Sequence, residues 1–190
     1  MDKTNLRVQK VVLAGVMAAL VYASFFLNIP LSLGIGKTML TMGNVTCVIA
    51  GLILGPVAGG FASGIGAFFF DLLGGWASTA VFSLIIKFLL AFVCGSIAYS
   101  GKRNGLSLWR NAIGSFSGMV VNIVLYMLQT YILTLFTLSG SAREDVVPMA
   151  LLWTFFVYLV NAVIAIAVGL PIAAALRKAL DSAHIGYGSK

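Results

Sequence analysis

The sequence predicts an all-α integral membrane protein with six transmembrane helices and both termini in the cytoplasm. Three observations lead to this fold class: 61% of the 190 residues are apolar, only 9% are charged, and the mean hydropathy is +1.06. A soluble domain of this length cannot hide so much apolar side chain, because about half of its surface must face water. Lipid must therefore solvate most of the chain, which we interpret as a single membrane domain over residues 1–190.

Apolar stretches divide the chain into six predicted spans. A span needs about 20 apolar residues, and fewer where protein shields the helix from lipid. The first apolar run is too long for a signal-peptide core, which predicts that it is retained as the first span. The long connection over residues 29–43 is predicted as a loop. The spans are predicted near residues 11–28, 44–57, 59–74, 79–99, 111–136 and 147–176.

The basic residues predict the orientation. Six spans place both termini on one side, and cytoplasmic loops carry an excess of lysine and arginine. With the N-terminus inside, the outer loops hold only Lys37 and Arg143. The inner face then holds Lys3, Arg7, Lys10, Lys102, Arg103, Arg110, Arg177, Lys178 and Lys190. Orientation thus explains the net charge of +7 better than nucleic-acid binding does, and we predict a multi-pass protein of the bacterial plasma membrane.

Small residues recur at a spacing of four along spans 2 and 3. Gly51, Gly55 and Gly59 form one series, and Gly60 and Gly64 repeat the spacing. On a helix this spacing creates a smooth face that another backbone can approach closely. Two interpretations remain open: a tightly packed hairpin of spans 2 and 3, or a surface that repacks against another helix.

Span 1 carries a similar strip of alanines. Ala14 and Ala18 are four residues apart in "LAGVMAALVYA", and Ala19 and Ala23 repeat the spacing. Such a strip packs inside the protein or docks a partner helix, and the residues alone favour neither.

Two charged residues lie within predicted spans. Asp71 comes about four residues before the outer end of span 3, and Lys87 about eight after the start of span 4, which places both roughly 6–12 Å below the outer surface. A charge in hydrocarbon costs at least about 2.5–3.5 kcal/mol, so an intramembrane ion indicates a functional site. The alternatives are a structural ion pair between spans 3 and 4 and a solute-binding cavity that opens outward.

Further polar and aromatic residues are predicted at similar depth. Aromatic rings with a few amide or charged groups suit a flat, polar heterocycle, although Trp and Tyr are also typical of the membrane interface. With Asp71 and Lys87, the candidate substrate-binding residues are Asn44, Trp76, Thr79, Tyr126, Gln129, Tyr131, Trp153, Tyr158 and Asn161.

Several chemistries have no motif in the sequence. There is no P-loop pattern G-x-x-x-x-G-K-[ST], and "GSFSG" has Phe116 where a nucleophile elbow needs serine. The single histidine, His184, lies in the polar tail, and the two cysteines, Cys47 and Cys94, lie in apolar stretches as expected of inert buried thiols. We predict that the chain is not an enzyme and uses no cofactor or metal.

Three stretches together resemble a known family. They are "LAGVMAALVYA", "GNVTCVIAGLILGPVAGGFASGIGAFFFDLLGGW" and "AVFSLIIKFLLAFVCG", which cover spans 1 to 4. They are similar to the S-components, the substrate-binding subunits, of energy-coupling-factor (ECF) vitamin transporters, in the branch for riboflavin, hydroxymethylpyrimidine or vitamin B6-type substrates.

The resemblance implies that this chain binds the substrate and that partner proteins supply the energy for transport. It implies a vitamin site near the extracellular face, capped by the loop after span 1, and no catalysis. It also implies a transmembrane coupling subunit and two ATPase subunits that supply the energy. In the family an A-x-x-x-A strip on span 1 docks the coupling subunit, and Ala14 and Ala18 match that strip.

We therefore expect the chain to be the high-affinity substrate-binding subunit of an ATP-driven importer. A vitamin B6-type or hydroxymethylpyrimidine substrate is favoured and riboflavin comes next. An amine would pair with Asp71, and an anionic or carbonyl-rich ring with Lys87. Two other classes of protein stay open: a structural or assembly membrane protein whose buried charges only pair with each other, and a small secondary carrier or channel.

Overall fold

The computed structural model describes residues 3–31, 38–102, 105–138 and 141–182. Over these ranges the chain folds into six α-helices and one short β-hairpin. The predicted outer charge Lys37 and the residues Arg103, His184 and Lys190 lie outside the described residues, as do the side chains of Lys3, Arg7, Lys102 and Arg143. The helices are α1 Lys3–Phe25, α2 Gly43–Leu54, α3 Pro56–Leu73, α4 Ala80–Tyr99, α5 Leu108–Thr137 and α6 Ser141–Ser182.

Five of these helices are long and apolar enough to cross a membrane, which supports the predicted all-α membrane fold. The exception within the described ranges is α2, whose 12 residues extend only about 18 Å. It ends at Leu54 because Gly55 takes a φ of +81° and Pro56 begins α3, so the predicted turn is present but the predicted span 44–57 ends three residues too late. Protein shields this short helix, since every residue of α2 except Thr46 is buried.

Glycines allow α2, α3 and α4 to pack with their backbones in contact. A Cβ atom added at Gly51 would lie 2.6 Å from the carbonyl oxygen of Ala91 in α4. A Cβ atom at Gly59 would lie 2.6 Å from the carbonyl oxygen of Ala50 in α2. Both distances are too short for any side chain larger than hydrogen. The glycine series therefore forms the tightly packed hairpin of the first interpretation and extends it to α4.

The predicted loop 29–43 contains a two-stranded antiparallel hairpin that the sequence did not indicate. Strand β1, Asn28–Pro30, pairs with β2, Met39–Thr41, with Ile29 opposite Leu40. The Met42 backbone N–H also donates to the Leu27 carbonyl, which extends the pairing toward α2. The hairpin lies at the end of the bundle where α1 ends and α2 begins.

At the other end of the bundle, α2, α4 and α6 terminate and α5 begins. Arg177 of α6 donates from Nη2 to the Leu52 carbonyl at 2.7 Å and to the Tyr99 hydroxyl at 2.9 Å. Arg110 of α5 donates to the Ser100 carbonyl. These contacts gather basic side chains at one end, which we call the basic end. The predicted orientation would place it in the cytoplasm.

Candidate functional site

A cavity that contains two charged side chains lies beside the hairpin, at the end of the bundle opposite the basic end. Its lining comes from α1, α3, α4, α5 and α6 together with β2. Half of the lining residues are candidates from the sequence. The lining consists of Phe25, Met39, Thr41, Ala67, Asp71, Ser83, Lys87, Tyr126, Gln129 and Tyr158.

Lys87 is the most buried cation in the described part of the chain, with 1% of its surface exposed. Its Nζ donates to Asn44 Oδ1 at 2.6 Å and to Asn122 Oδ1 at 2.9 Å. The same nitrogen lies 4.6 Å from the centroid of the Tyr126 ring, within the range of a cation–π interaction. Helices α2, α5 and α4 thus meet at one ammonium group. Asn44, a candidate from the sequence, acts here by holding Lys87.

Asp71 lines the same cavity as Lys87 and is 3% exposed. Its Oδ2 accepts a hydrogen bond from Ser83 Oγ. Ser83 lies one helical turn before Lys87 on α4, so both face the cavity. The structure therefore places an acid and an amine in one cavity, and it adds Ser83, whose spacing from Lys87 was the available signal.

Two tyrosines form the aromatic part of the cavity. The rings of Tyr126 and Tyr158 stack with their centroids 4.1 Å apart and an angle of 15° between their planes. Near them, the buried Gln129 Oε1 has no hydrogen-bond partner in the described part of the chain. A buried acceptor without a donor costs about 1–3 kcal/mol, so Gln129 is suited to receive an N–H or O–H group from a ligand.

Two predicted site residues contact the hairpin. The side chain of Asn161 accepts from the Thr41 backbone N–H at 3.0 Å and donates to the Met39 carbonyl at 2.8 Å. Trp153 Nε1 donates to the Leu31 carbonyl at 2.8 Å. Both residues belong to α6, so they anchor the hairpin to that helix.

Three other candidates are not among the residues that line the cavity. Trp76 and Tyr131 are 42% and 43% exposed and are not among the lining residues. Thr79 is buried, but its hydroxyl donates to the Trp76 carbonyl in the turn before α4. Exposure of these two aromatic rings is typical of the interfacial belt.

The cavity has a volume of about 20 Å³. This is close to the space that one water molecule needs. A heterocycle therefore requires the lining to move.

Comparison with known proteins assigns the family. A family model described as "ECF-type riboflavin transporter, S component" matches residues 5–178. The chain belongs to this family. S-components are substrate-binding proteins of transport systems and not enzymes, so the predictions of a membrane transport protein and of no catalysis are confirmed. The match extends beyond spans 1 to 4, which carry the sequence resemblance, to α5 and most of α6.

One relative of this S-component comes from Pyrococcus woesei. It is described as an uncharacterized protein in the gap 3' region, and it is 29% identical over 94 residues. The alignment covers 50% of this chain and 60% of the relative.

Proposed function

We propose that this S-component is the substrate-binding subunit of an ATP-driven ECF importer, and that it binds a flat heterocyclic vitamin or precursor in the cavity of Asp71 and Lys87. The observation that carries the proposal is the burial of an acid and an amine in one cavity with a stacked aromatic pair. Each buried charge costs at least about 2.5–3.5 kcal/mol in a membrane helix. Recognition of a polar ligand explains why the fold keeps two buried charges despite their free-energy cost.

The chemistry of the lining favours a ring with both hydrogen-bond acceptors and donors on its edge. Lys87 can donate to a ring carbonyl, while Asp71 and Gln129 Oε1 can accept from ring N–H or hydroxyl groups. The pyrimidine edge of riboflavin alternates carbonyl and N–H groups in this way. The family description also names riboflavin, which moves it ahead of the vitamin B6-type and hydroxymethylpyrimidine substrates that we favoured from the sequence resemblance.

For the ligand to enter, the hairpin must move away from the bundle and the rings of Tyr126 and Tyr158 must separate. Inserting a ring between Tyr126 and Tyr158 exchanges one stacking contact for two. Lifting the hairpin breaks the hydrogen bonds to Asn161 and Trp153, which are few and close to the bundle end. We therefore propose that the hairpin covers the site and that the cavity opens toward the extracellular side.

The experiment that tests the function is ligand binding to the isolated chain. We expect the detergent-purified protein to bind one of riboflavin, pyridoxine or hydroxymethylpyrimidine saturably and without ATP, as followed by ligand fluorescence or calorimetry. Mass spectrometry of any molecule that co-purifies identifies the substrate independently. If none of the three binds and no small molecule co-purifies, a structural membrane protein becomes the better interpretation.

Energy for transport is proposed to come from partner proteins. The sequence has no P-loop, so we propose a transmembrane coupling subunit and two ATPase subunits in the plasma membrane, as in other ECF systems. ATP-free liposomes that hold only this chain should show no uptake driven by an ion gradient. Uptake there would favour the secondary carrier.

The small-residue strip of α1 is the proposed docking surface. Ala18 lines an apolar groove of about 370 Å³ between α1 and α3, together with Tyr22, Gly66 and Phe69. Ala18 is half-buried in this groove, so a larger side chain there fills it, and Ala14 is half-buried one turn earlier on the same strip. We expect Ala14→Leu and Ala18→Leu to abolish co-purification with the coupling subunit while ligand affinity is unchanged.

A matched control for the docking test is Val16→Phe. Val16 lies two residues from Ala14 and from Ala18, about 200° around the helix, and it is exposed. This enlargement should leave co-purification intact. If both alanine variants still co-purify with the coupling subunit, α1 does not dock it through this strip.

A further inference from the structure

A second cavity, separate from the proposed substrate site, lies at the basic end. It has a volume of about 210 Å³ and is formed where α2 and α6 end and α5 begins. Along α4 it is about 20 Å from the Asp71–Lys87 cavity, too far for one small ligand to reach both. The residues around it are Leu52, Gly105, Leu106, Leu108, Asn111, Ala173, Ala174, Arg177 and Lys178.

Two cations border this cavity. Arg177 uses Nη2 for the Leu52 carbonyl and the Tyr99 hydroxyl, which caps the C-terminal end of α2. Its Nη1 is also buried and has no hydrogen-bond partner in the described ranges. Lys178 follows directly and is exposed. Capping of α2 accounts for Nη2 but not for Nη1, which remains a buried donor.

A buried acceptor lies on the other wall. Asn111 is 8% exposed, and its Nδ2 donates to the Gly105 carbonyl at 2.8 Å. Its Oδ1 has no donor among the residues that the structure describes. Asn111 belongs to the first turn of α5, where the helix dipole is positive and favours an anion. The cavity thus offers cationic donors and one neutral acceptor.

We infer that this cavity binds the headgroup of an anionic phospholipid that carries a hydroxyl group, as phosphatidylglycerol does. The phosphate accepts from Arg177 Nη1 and Lys178, and the headgroup hydroxyl donates to Asn111 Oδ1. Leu106 and Leu108 line the same cavity and are 66% and 69% exposed, which places apolar surface where acyl chains would lie. Basic pockets between membrane helices are typical sites for anionic headgroups.

Native mass spectrometry of the full chain tests the inference with phosphatidylglycerol and phosphatidylcholine of equal chain length. We expect phosphatidylglycerol to bind more tightly. Lys178→Gln should weaken its binding about fivefold and leave phosphatidylcholine binding unchanged. Because Lys178 is exposed, this variant should fold. Asn111→Leu should also weaken the binding of phosphatidylglycerol, because it removes the acceptor Oδ1 together with the hydrogen bond from Nδ2 to the Gly105 carbonyl.

The matched control is Arg110→Gln, which removes a cation at the same end whose guanidinium is not part of the lining. It should not change phosphatidylglycerol binding. Equal binding of the two lipids, or an equal loss in Arg110→Gln, would overturn the inference. Displacement of phosphatidylglycerol by millimolar inorganic phosphate, with no preference for the lipid, would show a site for soluble anions instead. Substrate binding by Lys178→Gln should equal that of the wild type, so this test is independent of the proposed function.

Discussion

Lys87→Met is expected to weaken substrate binding about 10- to 150-fold, because a hydrogen bond from a charged group contributes roughly 1.5–3 kcal/mol. Methionine has a similar length and avoids burying a charge, but it leaves Asn44 Oδ1 and Asn122 Oδ1 without this donor, so we expect a folded bundle of lower stability. The measurement is a titration of the detergent-purified variant with the vitamin that the wild type binds, next to a denaturation curve of the same preparation.

Lys10→Met is the matched control, since it makes the same exchange at an exposed position on α1. It should bind like the wild type. The opposite pattern would count against the proposal: normal ligand affinity in Lys87→Met, or an equal loss of stability in Lys87→Met and Asp71→Asn with no ligand bound by either. That result would leave a purely structural role for the two buried charges.

Gly95→Ala is expected to lower the free energy of unfolding by about 1–3 kcal/mol through overpacking. A Cβ atom at Gly95 would lie 2.7 Å from the Gly55 carbonyl carbon and from the Pro56 nitrogen. Both are backbone atoms, which cannot rotate away as a side chain can. The midpoint of denaturation in mixed micelles measures the effect.

Gly15→Ala provides the comparison, because a Cβ atom at Gly15 meets nothing within 4 Å. There the better helix propensity of alanine should leave stability unchanged or raise it by up to about 1 kcal/mol. Equal changes at the two positions would mean that close backbone packing of α4 against the α2–α3 turn does not stabilise the fold.

The sequence made the buried charges and the glycine contacts predictable for the same reason. A charge or a run of glycines is costly within a membrane helix, so its presence indicates a compensating contact. Asp71 and Lys87 were therefore predictable as site residues, because each is a charge within a predicted span. The lining residues Tyr126 and Gln129 follow from their spacing of three on one helix.

The hairpin and its anchors could not be predicted in the same way. Asn161 and Trp153 bind backbone groups of residues 31, 39 and 41. Every residue has the same backbone carbonyl, so the sequence does not show which of them a distant side chain binds. The three-residue strands are also too short to show alternation of polar and apolar residues. A long-range contact between a side chain and a loop backbone therefore needs coordinates.

The glycine contacts among α2, α3 and α4 have one more consequence. Helices that touch backbone to backbone behave as a rigid frame, and this frame carries Asn44, Asp71, Ser83 and Lys87. Tyr158 and the strands tied to Asn161 line the cavity from outside these three helices. The charged half of the site is thus preorganised, because the entropy cost of ordering it is met during folding. Adaptation to ligands of different shape then falls to Tyr158 and the hairpin.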